Sequence, residues 1–221
     1  VNECRFCAFF RRKESKDAYL LTFDEILGKV REAVDAGATQ VMIQGGLYPD
    51  LGLEYYEKCC GYIKENFKIT IHSFTATEIQ HLPVRQVFLS WIASKIAGSR
   101  FGQPAGGGAE ILVDAVRQRV SPKKIMTEDW LHVMECAHSI GMESTATMVI
   151  GLGETMAQRV EHMERIRQLQ DKTGALGPLL LGASSLAIQS WEEKNLWLGL
   201  YAKFGYNQTY MDNVPHIQGS W

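Results

Sequence analysis

Residues 144–155, STATMVIGLGET, hold the sequence pattern that decides the fold of this chain. Residues 144–150 are apolar or carry small hydroxyl groups, which predicts a buried strand, and a glycine-rich loop follows them. Thr155 and Gln158 then have the spacing of a capping box, which starts a helix over residues 156–172. A strand, a loop and a helix thus follow one another without interruption.

The same succession of elements occurs in the first part of the chain. Thr22 and Glu25 predict a capped helix over residues 23–36, and residues 39–44 follow it as a short apolar strand. A second helix is predicted over residues 53–67. The repetition indicates that the chain is built from alternating strands and helices.

Two further elements and the character of the strands give the fold class. Residues 68–72 predict a strand, and residues 127–140 predict a helix that Thr127 caps and Gly141 ends. Because the strands are too apolar to face water on either side, they indicate a parallel sheet covered by helices. Such an α/β sheet is either open and doubly wound or closed into a barrel. Both forms place active groups in the loops that follow the strands.

Unusual residues lie in those loops. Paired glycines let a backbone approach a ligand closely, although they are also an ordinary turn. A loop carboxylate can contact a ligand, face solvent in a turn, or be an acid that a helix dipole favours. Histidines on helices are expected at the surface. The loop residues are Gly45, Gly46, His72, Glu110, Gly151 and Glu154, and the helical histidines are His132, His138 and His162.

The composition indicates one large domain without a strongly charged partner. The 221 residues have a formal net charge of −2, and 46% of them are hydrophobic, so neither nucleic acid nor an anionic membrane is expected as a partner. No apolar run is long enough to span a bilayer. We therefore predict a single domain over residues 1–221 in the cytoplasm, where the five cysteines, an odd number, would stay reduced.

Cys4 and Cys7 form a C-x-x-C motif, the strongest local signal in the chain. Such a motif can be half of a zinc site, a redox pair, or two ligands of an iron–sulfur cluster. Cys59 and Cys60 are poor partners in a zinc site, because adjacent side chains on a helix diverge by about 100°. Cys136 is expected in the core. The motif by itself leaves the three possibilities open.

Several motifs, in the same order along the chain, resemble those of the cyclic dehypoxanthinyl futalosine synthases. These enzymes belong to a radical S-adenosylmethionine group that also includes aminofutalosine synthase and the deazaflavin-forming (FO) synthase. GGGAEILVD followed by VSPKK is more similar to the cyclase than to the deazaflavin enzyme, whereas aminofutalosine synthase shares the triple glycine. The motifs that carry the resemblance are CRFCAFFRR, QGGLYPDLGLEYY, IHSFTATEI, GGGAEILVDAVRQRVSPKK, TEDW, TATMVIGLGET, RVEHMERIRQLQDKTG and DNVPHIQGSW.

The resemblance implies a partial (β/α) barrel of the TIM-like type, truncated at both ends. It also implies a [4Fe–4S] cluster on Cys4, Cys7 and a cysteine that would stand just before Val1, with S-adenosylmethionine on the open iron. Phe6 is then expected near the adenine ring. The other implied contacts to S-adenosylmethionine are Gly45 and Gly46 at the methionyl amino group, Glu110 at the ribose, and Gly151 and Glu154 on the adenine side.

The chemistry that the resemblance implies is reductive cleavage of S-adenosylmethionine to a 5′-deoxyadenosyl radical. That radical would take a hydrogen from the ribose of dehypoxanthine futalosine, and the sugar radical would close a spirocycle on the route to menaquinone. The implied partners are this nucleoside-derived small molecule and an electron donor such as flavodoxin or ferredoxin. The alternatives are another enzyme of the same group, or a small zinc-binding or redox module built on the C-x-x-C motif.

Two segments depart from the family pattern, residues 83–105 and residues 175–208, and the resemblance resumes in register after each of them. Paired compensating frameshifts would produce such a pattern. We expect the first departure to remove a barrel helix, and the second to remove a strand together with the substrate loop after it. On these grounds we predict that the polypeptide is inactive as written.

Overall fold

The computed structural model describes residues 4–7, 11–12, 14–48, 50–82, 103–183 and 217–218. The helices among these residues are α1 (Phe23–Asp35), α2 (Leu53–Asn66), α3 (Ala76–His81), α4 (Asp114–Val120), α5 (Thr127–Ser139) and α6 (Met156–Thr173). The strands are β1 (Gln40–Gln44), β2 (Thr70–Thr75), β3 (Gln103–Ala105), β4 (Ser144–Ile150), β5 (Leu176–Ala183) and β6 (Ile217–Gln218). None of the described helices has the length and apolar character that crossing a membrane requires.

The described strands pair in parallel within two sheets. One sheet has the order β3-β2-β1-β6, and the other pairs β4 with β5. Val41 lies beside Ile71 and Met42 lies beside His72, so the pair of β1 and β2 has one mostly apolar face and one mixed face. The parallel α/β sheet that the sequence predicts is confirmed.

Side-chain hydrogen bonds join the two sheets. The Gly106 N–H donates to Thr145 Oγ1 over 2.9 Å, and the Thr147 hydroxyl donates to the Gly106 carbonyl over 3.0 Å. Nε2 of His72 lies 3.2 Å from the same Thr145 Oγ1. The sheets therefore form one wall, which is part of the (β/α) barrel that the sequence predicts.

The hydrophobic core lies between the outer face of this wall and the helices. The strands contribute Val41 and Ile71, and the helices contribute Ile26, Ile63 and Trp130, all buried. Removal of these large apolar side chains from water is the main stabilising contribution to the fold. The inner face of the wall carries side chains that form hydrogen bonds and do not belong to this core.

Local capping signals predict most helices correctly. The four predicted helices, α1, α2, α5 and α6, have the expected extents to within one residue at either end. The capping boxes that start at Thr22 and Thr155 are both present. The prediction that Thr127 is an N-cap is wrong, because Met126 occupies that position. The Thr127 N–H instead donates to Asp114 Oδ1 over 2.8 Å, so a carboxylate of α4 stabilises the first turn of α5.

Two strands differ from the sequence predictions. β2 covers Thr70–Thr75 rather than residues 68–72, because its pairing with β1 starts only at Thr70. β5 pairs with β4 along its length, so the predicted loss of a strand from residues 175–208 is wrong for β5. Its apolar residues suit a sheet, and Gly177 permits close approach, since a Cβ there would lie 3.1 Å from the Ser144 carbonyl oxygen. Residues 83–102 and 184–208, where the rest of the two departing segments falls, lie outside the described residues.

Candidate active site

The C-x-x-C motif forms a single turn beside α4. The Cys7 N–H donates to the Cys4 carbonyl over 3.1 Å, and the Arg5 N–H donates to the Val120 carbonyl over 2.9 Å. Both thiols are free, with Cys4 half-buried and Cys7 exposed. A turn of this kind brings two accessible thiolates near one another, as the binding of a shared metal cluster requires.

Phe6, between the two cysteines, connects the turn to the barrel. Its ring packs on a small apolar cluster separate from the main core, and the Lys124 Nζ lies 5.6 Å from the ring centroid. That distance is within the range of a cation–π interaction. The buried members of the apolar cluster are Ile111, Val113, Val116, Val120, Met148 and Leu152.

Glu110 lies next to this cluster in an ion pair. Its Oε1 is 2.7 Å from Lys124 Nζ and its Oε2 is 3.9 Å from Arg117 Nη1, and its side chain is only 12% exposed. Glu110 has a φ of 41°, in the left-handed region that non-glycine residues rarely adopt, and its carbonyl accepts a hydrogen bond from the Val149 N–H over 3.0 Å. The loop backbone thus holds this carboxylate under cover, rather than in a solvated turn.

Arg117 organises the loop that carries Glu110. This guanidinium is buried, and it donates to the carbonyls of Gly108 (3.0 Å), Ala109 (2.6 Å) and Ile125 (2.6 Å). Burial lowers the pKa of Arg117, and the charges of Glu110 and other acids oppose that change. Sequence reasoning missed this residue, because an arginine in a short helix gives no signal of burial.

The triple glycine is explained by close packing against the strands. A Cβ on Gly106 would lie 2.1 Å from the Thr145 carbonyl oxygen, and a Cβ on Gly107 would lie 2.7 Å from Gln44 Nε2. Gly106 requires glycine, because real Cβ atoms do not approach backbone atoms so closely, whereas a Cβ on Gly107 would meet side-chain ends that can shift. This backbone therefore packs closely against the barrel wall.

Gly45 and Gly46 follow β1, and a buried carboxylate anchors them. The Gly45 N–H donates to Glu78 Oε1 over 3.1 Å, while Glu78 Oε2 accepts from the Thr75 N–H (2.8 Å) and hydroxyl (2.7 Å). Burial raises the pKa of Glu78, although these hydrogen bonds favour its charged form. Sequence reasoning missed Glu78, although the Thr75-x-x-Glu78 spacing was a readable capping box.

The loop from Gly151 to Glu154 is closed by the Glu154 side chain. The fully buried carboxylate accepts hydrogen bonds from the N–H groups of Gly151 (3.1 Å) and Leu152 (2.7 Å), and it pairs with Arg159 at 2.6 Å. Burial by itself would raise the pKa of Glu154, but these bonds lower it overall. The Arg119 guanidinium donates to the Leu152 carbonyl over 3.1 Å, which holds the loop beside α4.

Three of the predicted site segments therefore meet around α4. The Cys4–Cys7 turn, Glu110 and the 151–154 loop all contact this helix or the apolar cluster next to it. Gly45 and Gly46 are joined to β2 and α3 through Glu78, on which the charge of Lys124 acts. The predicted residues thus belong to one end of the barrel wall.

The histidines lie deeper than the sequence predicts. His138 and His162 are buried rather than at the surface, because each bonds to main-chain or hydroxyl groups of neighbouring elements. His72 lies within β2 rather than at its end, and burial lowers its pKa. His132 is exposed as expected, and Cys136 is only half-buried, because it lies towards the solvent side of α5.

The donor set suits an iron–sulfur cluster better than a closed zinc site. Within the described ranges, no group of three or more His, Cys, Asp or Glu side chains is arranged to hold a metal ion. Cys59 and Cys60 are core residues, and burial raises the pKa of Cys59 to about 12. Cys4 and Cys7 lie in one turn, with Cys4 half-buried and Cys7 exposed, so they fit two of the three thiolates of a cluster with an open iron.

Comparison with curated proteins identifies relatives over the whole chain. Cyclic dehypoxanthine futalosine synthase of Streptomyces coelicolor is 38% identical, over 100% of this chain and 57% of its own length. The enzyme of the same name from Halalkalibacterium halodurans is 36% identical, over 99% of this chain and 60% of its length. Aminodeoxyfutalosine synthase of Thermus thermophilus is 34% identical, over 99% of this chain and 61% of its length. The chain therefore spans 57–61% of these relatives.

Solved structures share the fold at low sequence identity. HydG, a maturase of the [FeFe]-hydrogenase, matches with a TM-score of 0.63 and 17% identity, over 83% of this chain and 40% of HydG. Methylornithine synthase (PylB) matches with a TM-score of 0.60 and 13% identity, over 84% of this chain and 52% of PylB. These likenesses support the TIM-like barrel and nothing finer.

A family model adds the cofactor class. The Radical SAM superfamily model matches residues 1–84, which contain the Cys4–Cys7 turn and the Gly45–Gly46 strand end. Proteins of this superfamily use a [4Fe–4S] cluster and S-adenosylmethionine, the two cofactors that the resemblance implies. Residues 1–84 thus match the radical SAM superfamily, and the whole chain is similar to proteins named cyclic dehypoxanthine futalosine synthase.

Proposed function

We propose that this chain is the barrel part of an enzyme that converts dehypoxanthine futalosine to cyclic dehypoxanthine futalosine on the futalosine route to menaquinone. The observation that carries the proposal is the meeting of the Cys4–Cys7 turn, Glu110 and the 151–154 loop around α4. Identity of 38% to a protein of that name supports the choice of reaction.

Each part of the site has a proposed role toward the cofactors. Cys4 and Cys7 would hold the cluster, with the third thiolate supplied by another cysteine. When bound, the cluster and S-adenosylmethionine supply the 5′-deoxyadenosyl radical that takes a hydrogen from the ribose of the substrate. Phe6 would cover the adenine ring with its apolar face, and the covered Glu110 carboxylate would accept hydrogen bonds from the ribose hydroxyls.

The loops would hold the rest of S-adenosylmethionine through their backbones. Gly45 and Gly46 have no side chains to block the methionyl amino group, and Glu78 fixes the position of Gly45. Glu154 would act by closing its loop, since its carboxylate is fully hydrogen-bonded within that loop, and Gly151 would then offer its backbone to the adenine. Exposed Cys7 marks the side from which an electron donor such as flavodoxin or ferredoxin would approach.

The inner face of the barrel wall would receive the nucleoside-derived substrate. His72 and Thr145 bond to one another there, and Thr147 bonds to the Gly106 carbonyl. Such hydroxyl and imidazole groups are suited to the hydroxyls of a sugar. The apolar cluster under Phe6 would keep water away from the reacting atoms.

Two alternatives differ in the reaction or in the metal. Aminofutalosine synthase or an FO synthase subunit would use the same barrel. Aminodeoxyfutalosine synthase of Thermus thermophilus is 34% identical, and a 5-amino-6-(D-ribitylamino)uracil–L-tyrosine 4-hydroxyphenyl transferase of Methanosarcina mazei is 39% identical. A zinc-binding or redox module would use only the accessible thiols of Cys4 and Cys7. Metal and sulfide analysis of the purified protein separates this second alternative from a cluster protein.

The test uses the protein extended to the length of its relatives and reconstituted anaerobically with iron and sulfide. It is incubated with dithionite, S-adenosylmethionine and each candidate substrate, and products are identified by mass. We expect the cyclic product and 5′-deoxyadenosine from dehypoxanthine futalosine alone. Cys4→Ser and Cys7→Ser should abolish both, whereas Cys136→Ser should not. Product from another substrate, or zinc without sulfide, would reject the proposal.

The chain as given remains predicted to be inactive. The C-x-x-C turn supplies two thiols, Cys4 and Cys7, one fewer than a cluster with an open iron needs, and the described residues bring no third ligand to them. Formation of 5′-deoxyadenosine by this polypeptide, under the same anaerobic conditions, would contradict the prediction.

A further inference from the structure

We propose that Lys124 is a positioning residue that couples the Cys4–Cys7 turn to the Glu110 carboxylate, and that this coupling sets the affinity for S-adenosylmethionine. The inference rests on the proposed roles of Phe6 and Glu110 toward that cofactor. It concerns the binding step and is independent of which substrate the enzyme converts.

The first observation is the ion pair between Lys124 and Glu110. The two charged atoms are 2.7 Å apart, and the side chains are 10% and 12% exposed. Water screens a covered pair of this kind much less than it screens a surface pair, so the geometry of the pair is well defined. The Lys124 ammonium therefore fixes the direction of the Glu110 carboxylate.

The second observation is that the same ammonium lies over Phe6. Its Nζ is 5.6 Å from the ring centroid, and the backbone of the adjacent Arg5 is anchored to Val120 at the end of α4. One cation thus contacts the residue proposed for the adenine and the residue proposed for the ribose. Loss of that cation would loosen both contacts together.

The third observation is that the loop backbone does not depend on Lys124. Arg117 holds the carbonyl of Ala109, and the Glu110 carbonyl accepts from the Val149 N–H. The unusual φ of Glu110 is thereby maintained without the ammonium. Removal of Lys124 should leave the loop in place and free only the carboxylate.

Arg117 determines where the freed carboxylate would go. Its Nη1 is 3.9 Å from Glu110 Oε2, and it is the second cation beside this carboxylate. Without Lys124, the carboxylate would turn toward Arg117 and away from a ligand at the opposite side. We therefore expect weaker binding of S-adenosylmethionine with little change in cluster content.

The experiment compares three single variants of the extended, reconstituted protein. Lys124→Met should raise the dissociation constant for S-adenosylmethionine about tenfold, as losses of supporting contacts around metal sites commonly do. Lys124→Arg should recover part of the affinity, because it restores the charge. Lys123→Met is the matched control, since it removes the same charge from an exposed neighbour, and it should bind like the parent.

The readouts are equilibrium binding of S-adenosylmethionine, the iron content, and the change in the electron paramagnetic resonance spectrum of the reduced cluster on adding the cofactor. Lys124→Met should need about tenfold more cofactor for the same spectral change. Parental affinity in Lys124→Met, or an equal loss in Lys123→Met, would overturn the proposal. If Lys124→Met loses iron, Glu110→Gln supplies the second test. It removes the charge that pairs with Lys124, so it should also raise the dissociation constant for S-adenosylmethionine about tenfold, and parental affinity in Glu110→Gln would overturn the proposal.

The outcomes also separate this inference from the proposed function. A parent protein that binds S-adenosylmethionine but makes no cyclic product would reject the proposed reaction. The role of Lys124 would still be tested, by comparing S-adenosylmethionine binding in the parent and in Lys124→Met. A parent that makes the cyclic product, with unchanged binding in Lys124→Met, would reject only the role of Lys124.

Discussion

The buried imidazole of His162 gives the fold a dependence on acid. Its Nδ1 accepts the Leu112 N–H over 3.0 Å, which leaves the proton of the neutral ring on Nε2. Within the described part of the chain, that Nε2 has no hydrogen-bond partner. Burial, followed by the charge of Arg117, lowers the pKa of His162 to about 4. The folded protein therefore resists protonation of this ring, whereas the unfolded chain accepts a proton readily.

The first prediction is that stability falls as the pH is lowered from 6.5 to 4. In that interval the unfolded state binds a proton at His162 and the folded state does not, so the free energy of unfolding decreases by about 3 kcal/mol. Burial also lowers the pKa of His72 and His138, which act in the same direction. Urea unfolding at a series of pH values measures the slope.

A variant isolates the contribution of His162 to that slope. His162→Asn keeps an oxygen that can accept the Leu112 N–H and removes the titrating ring, so its stability should depend less on pH than that of the parent. His132→Asn is the matched control, because His132 lies exposed on a helix. Equal slopes for the parent and His162→Asn would contradict the assignment.

The second prediction concerns Arg117, whose buried guanidinium donates to four backbone carbonyls. Arg117→Met should lower the free energy of unfolding by about 3–5 kcal/mol, because it leaves those carbonyls and Glu110 without their buried partner. Arg117→Lys should rescue little, since an ammonium cannot reproduce the planar fork of donors.

Arg119→Met provides the comparison for Arg117. Arg119 is exposed on the same helix and donates to the carbonyls of Leu152 and Gly153, so its loss should cost about 1 kcal/mol or less. Thermal melting of Arg117→Met and Arg119→Met measures the two losses of stability. Similar losses of stability in the two variants would show that the burial of Arg117 adds nothing to its contribution.

At the scale of single elements, Gly106 and Gly28 should respond to replacement by alanine in opposite ways. Gly106 is in contact with β4, whereas Gly28 lies on the exposed side of α1 with open space around its Cβ position. The third prediction is that Gly106→Ala lowers the free energy of unfolding by about 1–3 kcal/mol, through forced displacement of the strand. Gly28→Ala should raise it by about 1 kcal/mol, because alanine favours the helix. Denaturant unfolding measures both changes, and a stabilised Gly106→Ala would refute the packing argument.

The elements that sequence reasoning identified are those with a local physical cause. Capping boxes predicted α1 and α6 because each box lies within the first turn of the helix itself. α3 and β5 were missed, since a helix of six residues shows no period and β5 depends on its pairing with β4. His162 was misjudged because a mostly polar helix gave no sign that this one position is covered.

The candidate site shows the same division between local and long-range causes. The C-x-x-C motif and the glycine loops were readable, because each is defined by neighbouring residues. Lys124 and Arg117 were not, since their roles depend on loops that come together only in the folded barrel, and Glu78 was readable only as a helix cap and not as the partner of Gly45. A motif therefore predicts the residues that bind, while the residues that support them require the structure.

At the scale of the whole molecule, Thr145 and Thr147 unite the two sheets. Thr145 Oγ1 accepts the Gly106 N–H and lies against His72, so its loss would leave two groups of the inner wall without this partner. Thr147 donates a single bond to the Gly106 carbonyl. The fourth prediction is that Thr145→Val lowers the free energy of unfolding by about 2 kcal/mol, and Thr147→Val by about 1 kcal/mol.

Hydrogen exchange at the Gly106 amide provides a local measure of the same junction. The amide should exchange faster in Thr145→Val than in Thr147→Val, because only the first removes its acceptor. Faster exchange throughout the sheet, with no preference for Gly106, would mean that the junction has no separate role. The informative result is therefore which of the two variants has the faster exchange at the Gly106 amide.

The position of β6 beside β1 has a consequence for the synthesis of this protein on the ribosome. Ile217 pairs with Ile43, so β1 leaves the ribosome long before the strand that covers its edge. During that delay, β1 presents unpaired backbone groups, which attract other extended chains. Low temperature and abundant chaperones should therefore increase the yield of folded protein, even when the stability of the finished fold is unchanged.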